Sequence, residues 1–313
     1  MTEDMEQRAI GAYLGLAVGD ALGATVEFMS PKEIQAVYGV HDRIRGGGWL
    51  KLKPGQITDD TDMSLTLGRA VIEQGYINAQ YIAQAFSDWM RTKPVDIGNT
   101  VRRGIIHFRH SGNPEAPESE FDAGNGACMR TLPIALATYG LDPLEVQSLS
   151  RMQAHITHNN SLSDAATECV IAMVQQALSG AQPMDLLQGP VKQLLDKCFE
   201  FRFRDKTMEN PSGFIVETMQ AVLQALFNTG SFEECLVNVV NRGGDADTTG
   251  AIAGMIAGSL YGVNAIPNRW LKKLDKTLRQ ECQRQALALL ALSNSKSVDD
   301  NRVFNITHAR ATV

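Results

Sequence analysis

At 313 residues and a formal net charge of −6, the chain is long enough to bury a large core and lacks the basic excess of a nucleic-acid binder. Its first residues, MTEDMEQR, are charged and contain no apolar run of the signal-peptide kind. The longest apolar stretches, near 10–19 and 251–263, are too short to cross a bilayer, so a cytoplasmic protein that is not integral to a membrane is expected.

In chain order, the first predicted element is a helix with Ile10, Leu14, Ala17 and Ala21 on one face and glycine at every fourth position: Gly11, Gly15, Gly19, Gly23. A loop over 43–56 follows; its glycine run 46–48 precedes Trp49 and reads as a mobile loop, with a partner-binding surface as the alternative. The segment ITDDTDM then brings Thr58, Asp59, Asp60, Thr61 and Asp62 to the entry of a helix whose stripe is Met63, Leu67, Ala70 and Val71. Further stripes are Tyr81, Ile82, Ala85, Phe86 and Trp89; Ala166, Cys169, Val170, Met173, Val174 and Ala177; and Met219, Val222, Leu223, Leu226 and Phe227. Loops are expected at 92–99, 109–126, 179–190 and 202–213. Last comes NRGGDADTTG, ahead of a helix predicted over 249–261 that carries Gly250, Gly254, Gly258 and Gly262.

Alternating strand-like segments are nearly absent. The pattern predicts an all-α, compact multihelical single domain over 1–293 and a flexible C-terminal tail over 294–313. Cys128, Cys169, Cys198, Cys235 and Cys282 lie far apart without ligand-like spacing, so reduced thiols are expected. Each glycine inside a helix costs roughly 1 kcal/mol relative to alanine, so the clearly interior ones together cost on the order of 4 kcal/mol. That is a large part of a typical net stability of about 5–15 kcal/mol. Strips of glycine let another helix approach closely, so both ladders are expected on central helices whose ends converge.

The acidic entries ask for a second explanation beyond capping. A helix start needs one side-chain oxygen, whereas Thr58–Asp62 and Asp245–Thr248 each offer several. Adjacent carboxylates repel unless a cation sits between them or one takes a proton. Oxygen donors without histidine or cysteine suit a hard cation such as Mg²⁺ or Mn²⁺. Two such entries facing each other would match two-metal hydrolytic sites, whose ions lie about 3.5–4 Å apart.

Six segments in this order, GAYLGLAVGDALGATVEF, GQITDDTDMS, VDIGNT, AGNGACMR, HITHNN and NRGGDADTTGAIAGMIAG, resemble the ADP-ribosylglycohydrolase family. The likeness runs from about residue 8 to 285, and GGGWLKLKPGQ and IPNRWLKKLD are similar to the subgroup that reactivates the nitrogenase iron protein. The resemblance implies an all-α fold with a binuclear Mn²⁺ or Mg²⁺ centre that removes ADP-ribose from modified arginine on a target protein. It implies metal ligation by Thr58, Asp59, Asp60, Asp245, Asp247 and Thr248, with Glu27 as the mobile glutamate beside the ions. Asp96 and Asn99 fall next to the scissile ribose, and Gly124, Asn125 and Gly126 at the diphosphate. His155 and His158 match a histidine segment near ADP-ribose, while Phe214 stands where close relatives carry tyrosine, which leaves stacking on adenine but no phenolic hydroxyl.

On this reading Asp60 or Asp96 handles the attacking water, and Asp96 or Glu27 the leaving guanidine. Asp20 is left outside the site, as a group bonded to neighbouring backbone. The implied partner is an ADP-ribosylated protein, the nitrogenase iron protein first, with a PII-type signalling protein as regulator. The alternatives are an arginine ADP-ribosylhydrolase with another client, a module that binds ADP-ribose without cleaving it, and a phosphoesterase. For the last, AGNGACMR offers only Arg130 as a basic group.

Overall fold

The computed structural model describes residues 2–296. Among them the chain forms α1 (Glu3–Gly23), α2 (Pro31–Tyr38), α3 (Asp59–Gln74), α4 (Ala79–Arg91), α5 (Asn99–Ser111), α6 (Gly126–Met129), α7 (Leu132–Ala137) and α8 (Pro143–Ala154). The second half adds α9 (Ser161–Leu178), α10 (Pro183–Leu186), α11 (Lys192–Lys197), α12 (Ile215–Asn228), α13 (Phe232–Val240), α14 (Ala246–Tyr261), α15 (Asn268–Leu271) and α16 (Lys276–Lys296). The described residues hold no β-strand, only isolated bridges at Gly47–Leu52 and Gly124–Phe214, so the expected all-α class is observed. α16 continues to Lys296, past the predicted boundary at 293, and the flexible-tail expectation for 297–313 lies outside the described residues.

The fold is organised by α1 and α14, which pack antiparallel along their glycine ladders. A Cβ added at Gly11, Gly15, Gly19 or Gly23 would drive into the carbonyl oxygen of Gly258, Gly254, Gly250 or Ala246 respectively. The reverse holds for Gly250, Gly254 and Gly258, which press on the carbonyls of Gly19, Gly15 and Gly11. Backbones this close leave no room for a methyl group, which accounts for glycines that the helix would otherwise disfavour. Both helices are buried almost all round, from Gly11 to Gly23 and from Ala246 to Leu260, and α3, α9, α12, α13 and α16 surround them. A helix enclosed on every side needs no apolar stripe, and neither sequence shows a strong one. The antiparallel register brings the C-terminal end of α1 to the N-terminal end of α14.

Two expectations are corrected. The stretch 179–190 holds α10 and a π-helical turn, Leu187–Val191, instead of a loop. Pro183 sits in the first turn, where a missing N–H costs nothing, and Asp185 accepts from the Gln182 N–H at 2.8 Å; Pro190 falls in the widened turn. α14 also starts at Ala246, earlier than the predicted 249, because the Asp245 carbonyl accepts from the Thr249 N–H at 3.1 Å. Asp247 and Thr248 therefore lie within the first turn. The cysteines are all free; Cys128, Cys169, Cys235 and Cys282 are buried, and Cys198 is half-buried.

Candidate active site

The acidic entries of α3 and α14 meet. Thr248 Oγ1 donates to Asp60 Oδ2 at 3.4 Å, and Thr58 Oγ1, whose one proton is shared between Asp60 and Asp20, lies 3.0 Å from the same oxygen. Asp60 is fully buried, and its second oxygen, Oδ1, has no hydrogen-bond partner. One oxygen from each of Glu27, Asp245 and Asp247 lies within 4.8 Å of the others. Thr58, Asp59, Asp247, Thr248 and Glu27 are buried as well.

Asp20, which the sequence reading left out, organises this chamber from the last turns of α1. Its carboxylate accepts from the Thr58 N–H at 3.1 Å and the Thr61 N–H at 3.2 Å, and from both threonine hydroxyls. It therefore bonds backbone of the α3 entry, not of its own helix. The signal that could have found it was in the glycine ladder: a helix whose end must converge on the acidic entries carries its last aspartate there. Asp62, by contrast, turns toward α4, where the Trp89 indole lies 3.5 Å away.

Glu27 is placed by a strap between the end of α1 and the glycine pair before α14. The Phe28 N–H donates to the Gly244 carbonyl at 2.7 Å, and the Gly244 N–H returns a bond to the Met29 carbonyl at 3.0 Å. Gly243 and Gly244 have φ of 70° and 63°, the left-handed conformation that glycine adopts without cost. Phe28 shares it, with φ of 62°, an uncommon and strained state for an aromatic residue beside a functional group. The Glu27 carboxylate accepts from the Trp49 indole N–H at 2.6 Å.

The remaining predicted residues connect to this chamber unevenly. The Gly98 N–H donates to Asp59 Oδ2 at 3.2 Å, which pins the 94–98 loop to the α3 entry. Half-buried Asp96 accepts from the Ile97 N–H at 2.7 Å, and exposed Asn99 opens α5. Asn125 bridges by its side chain, donating to Asp245 Oδ2 at 2.6 Å and Thr218 Oγ1 at 3.0 Å. The Asn125 N–H donates to the Gly213 carbonyl at 3.0 Å, and Gly124 pairs with Phe214, whose residue is 41% exposed. Sequence reasoning assigned Asn125 for its backbone and missed the side-chain bond to Asp245.

The two histidines part company. His158 is buried under the glycine loop, its ring so close that a Cβ on Gly124 or Gly126 would lie 2.9 or 2.8 Å from it, and Thr157 Oγ1 meets its Nδ1 at 2.7 Å. Burial, with the Arg130 charge behind it, holds its pKa well below the ordinary value, so the ring is neutral. His155 instead faces Asp164 at 3.0 Å and Glu115 at 3.7 Å, which ties α8 to α9 and to the 112–119 segment. Arg130 is fully buried, bonded to Gln153 and stacked on Phe86 at 4.7 Å, so its guanidinium is not presented to a phosphate.

Electrostatically the chamber is starved of positive charge. Burial raises the carboxyl pKa of Asp20 to about 6, of Glu27 to about 7 and of Asp59 to about 8. Asp60 and Asp247 are pushed well above the usual range by burial first and by their acidic neighbours next. A divalent cation among these oxygens would remove that strain, and the unpartnered Asp60 Oδ1 is a donor atom of the required kind.

An all-helical protein built around an acid-lined chamber is the class these observations define. Comparison with known proteins narrows it: the model of the ADP-ribosylglycohydrolase family matches residues 1–299, and the chain belongs to that family. It is 51% identical over 289 residues to the ADP-ribosyl-[dinitrogen reductase] glycohydrolase of Rhodospirillum rubrum, covering 92% of this chain and 97% of that protein. It is 32% identical over 289 residues to the ADP-ribosylarginine hydrolase Tri1 of Pseudomonas putida strain GB-1, covering 87% of this chain and 75% of that one. Among solved structures, one titled "ADP-ribosylglycohydrolase-related protein complex" superposes with a TM-score of 0.83 at 35% identity, over 93% of this chain and all of that chain.

Proposed function

We propose that this protein is a cation-dependent hydrolase that removes ADP-ribose from a modified arginine of a target protein, with the nitrogenase iron protein as client. The observation that carries it is the meeting of the α3 and α14 entries, seen in the Thr248–Asp60 bond, within a chain 51% identical to a glycohydrolase of dinitrogen reductase. Thr58, Asp59, Asp60, Asp245, Asp247 and Thr248 would hold Mn²⁺ or Mg²⁺, since every donor is a hard oxygen. Bound there, the ions would supply a water acidified toward neutrality and anchor ribose hydroxyls.

The protein's own groups do the rest. The water oxygen bonds to ribose C1″ as the C1″–N bond breaks, and the guanidine nitrogen takes up a proton. Asp96, half-buried at the edge of the chamber, accepts the proton of the water or passes one to the guanidine; Asp60 or Glu27 fills the other role. Gly124 and Gly126 let main-chain N–H groups approach the diphosphate, over the neutral His158 ring that supports the loop. The exposed Phe214 ring offers a face to adenine.

The match to an ADP-ribosylarginine hydrolase favours a second reading, the same reaction on another client. A PII-type protein as regulator and a cytoplasmic setting complete the first reading; no helix among the described residues is long and apolar enough to cross a membrane. The test is release of ADP-ribose from ADP-ribosyl-arginine against ADP-ribosyl-serine, with and without Mn²⁺. Arginine-selective, ion-dependent release of intact ADP-ribose is expected. AMP as product would instead indicate a phosphoesterase, and binding without release a recognition module. Modified nitrogenase iron protein, compared with other modified proteins, then decides the client.

A further inference from the structure

Trp49 sits at the tip of a tight loop closed by paired Gly47 and Leu52, whose mutual N–H···O bonds measure 2.7 and 2.9 Å. Its residue is 51% exposed, so core packing does not explain a tryptophan here. What it does have is one short bond, from indole Nε1–H to Glu27 Oε2 at 2.6 Å. We propose that Trp49 is a positioning residue for Glu27: in the conformation seen here the indole holds one oxygen of this mobile glutamate, so that the other is aimed into the chamber.

Glu27 needs such a partner. It is 5% exposed and shares a 4.8 Å neighbourhood with Asp245 and Asp247, and the charges of Asp245 and Asp96 repel its carboxylate. A lysine or arginine could restrain it but would cancel the negative field that draws a cation. The indole N–H is a donor without formal charge on a rigid ring, so it restrains the carboxylate and leaves the field intact. The indole is itself held: the Phe28 ring packs against it with centroids 5.3 Å apart at 47°. Gly48, with φ of 67°, lays the loop against the Ala24 carbonyl at the end of α1. Phe28 in turn is locked in its strained conformation by the bond to Gly244. Carboxylate and donor thus arrive on separate segments, each with its own support. The strain at Phe28 has a use here, since it turns the ring outward, 64% exposed, to meet the indole.

The inference rests on the hydrolase reading of the chamber, and the test separates the two. Trp49→Phe keeps a ring against Phe28 and removes only the donor. Partners that orient a ligating or catalytic group are worth about 10–100-fold in affinity or activity. The variant is expected to keep the wild-type circular dichroism, to lose about tenfold in kcat on ADP-ribosyl-arginine, and to bind Mg²⁺ about tenfold more weakly by calorimetry. Both losses should vanish when Trp49→Phe is made in a Glu27→Gln background, because the coupling runs through that carboxylate. Unchanged kcat and unchanged affinity in Trp49→Phe would overturn the proposal. So would losses equally large in the Glu27→Gln background, which would make the indole a support of the loop alone. A wild-type protein with no turnover sinks the hydrolase reading, and the calorimetric comparison still decides on Trp49.

Discussion

The Thr248 hydroxyl reaches Asp60 Oδ2 at 3.4 Å across a separation of 188 residues, and with that bond two distant helix starts become one chamber. Loss of either side should empty it. Asp60→Ala and Asp245→Ala are each expected to abolish cation binding by calorimetry and turnover with it. Asp96→Asn should retain binding and lower kcat by about 10²-fold or more, the usual weight of a general acid or base. Full hydrolysis by Asp245→Ala in metal-free buffer would refute the assignment.

Asn125 yields a subtler test. Its amide restrains Asp245 through a 2.6 Å bond and is braced by Thr218. Asn125→Ala is expected to cost about 10-fold or more in cation affinity or kcat while the thermal midpoint stays within a few degrees, about the effect of 1 kcal/mol. An affinity and a rate both equal to wild type would show that Asp245 needs no such brace.

The carboxyl groups set the pH dependence of the metal-free protein. Burial places the folded pKa of Asp20 at about 6, of Glu27 at about 7 and of Asp59 at about 8, above their unfolded values near 4. In that window the folded state binds more protons than the unfolded one, so stability falls as pH rises. Thermal midpoints in EDTA should therefore decline from about pH 5 to pH 8. Saturating Mg²⁺ should flatten or reverse the slope, because it binds the ionised, folded form. A midpoint that rises over this window in EDTA would contradict the burial of these groups without counter-charge.

The glycine seam predicts an inversion of an ordinary rule. In an exposed helix, Gly→Ala stabilises by about 1 kcal/mol. At Gly15 or Gly254 the new methyl group would meet the backbone of the partner helix, which cannot swing aside. Gly15→Ala and Gly254→Ala are each expected to destabilise by about 1–3 kcal/mol or more, read from the denaturant midpoint at constant m.

The fold was legible where chemistry repeats. Four-residue glycine spacing identified α1 and α14 as the central pair, and helical stripes such as Ala166–Ala177 placed α9 correctly. The acidic chamber was legible because Asp59, Asp60, Asp245 and Asp247 are too many acids for two caps. What escaped was relational. Asp20 bonds across to Thr58 and Thr61, Asn125 to Asp245 and Trp49 to Glu27, and no local spacing encodes such pairs. The turn at 187–191 escaped because glycine and proline, Gly189 and Pro190, signal a loop unless a π-turn accommodates them.

The seam between α1 and α14 has a consequence for biosynthesis. It joins residues 11–23 to 246–258, so the first helix off the ribosome must wait for nearly the whole polypeptide before its glycine face is covered. A chain stalled or cleaved before residue 246 would hold Asp20, Glu27 and Asp60 yet lack the wall that gathers them. Products that end before residue 246 are therefore expected to be inert, with competence arriving in one late step.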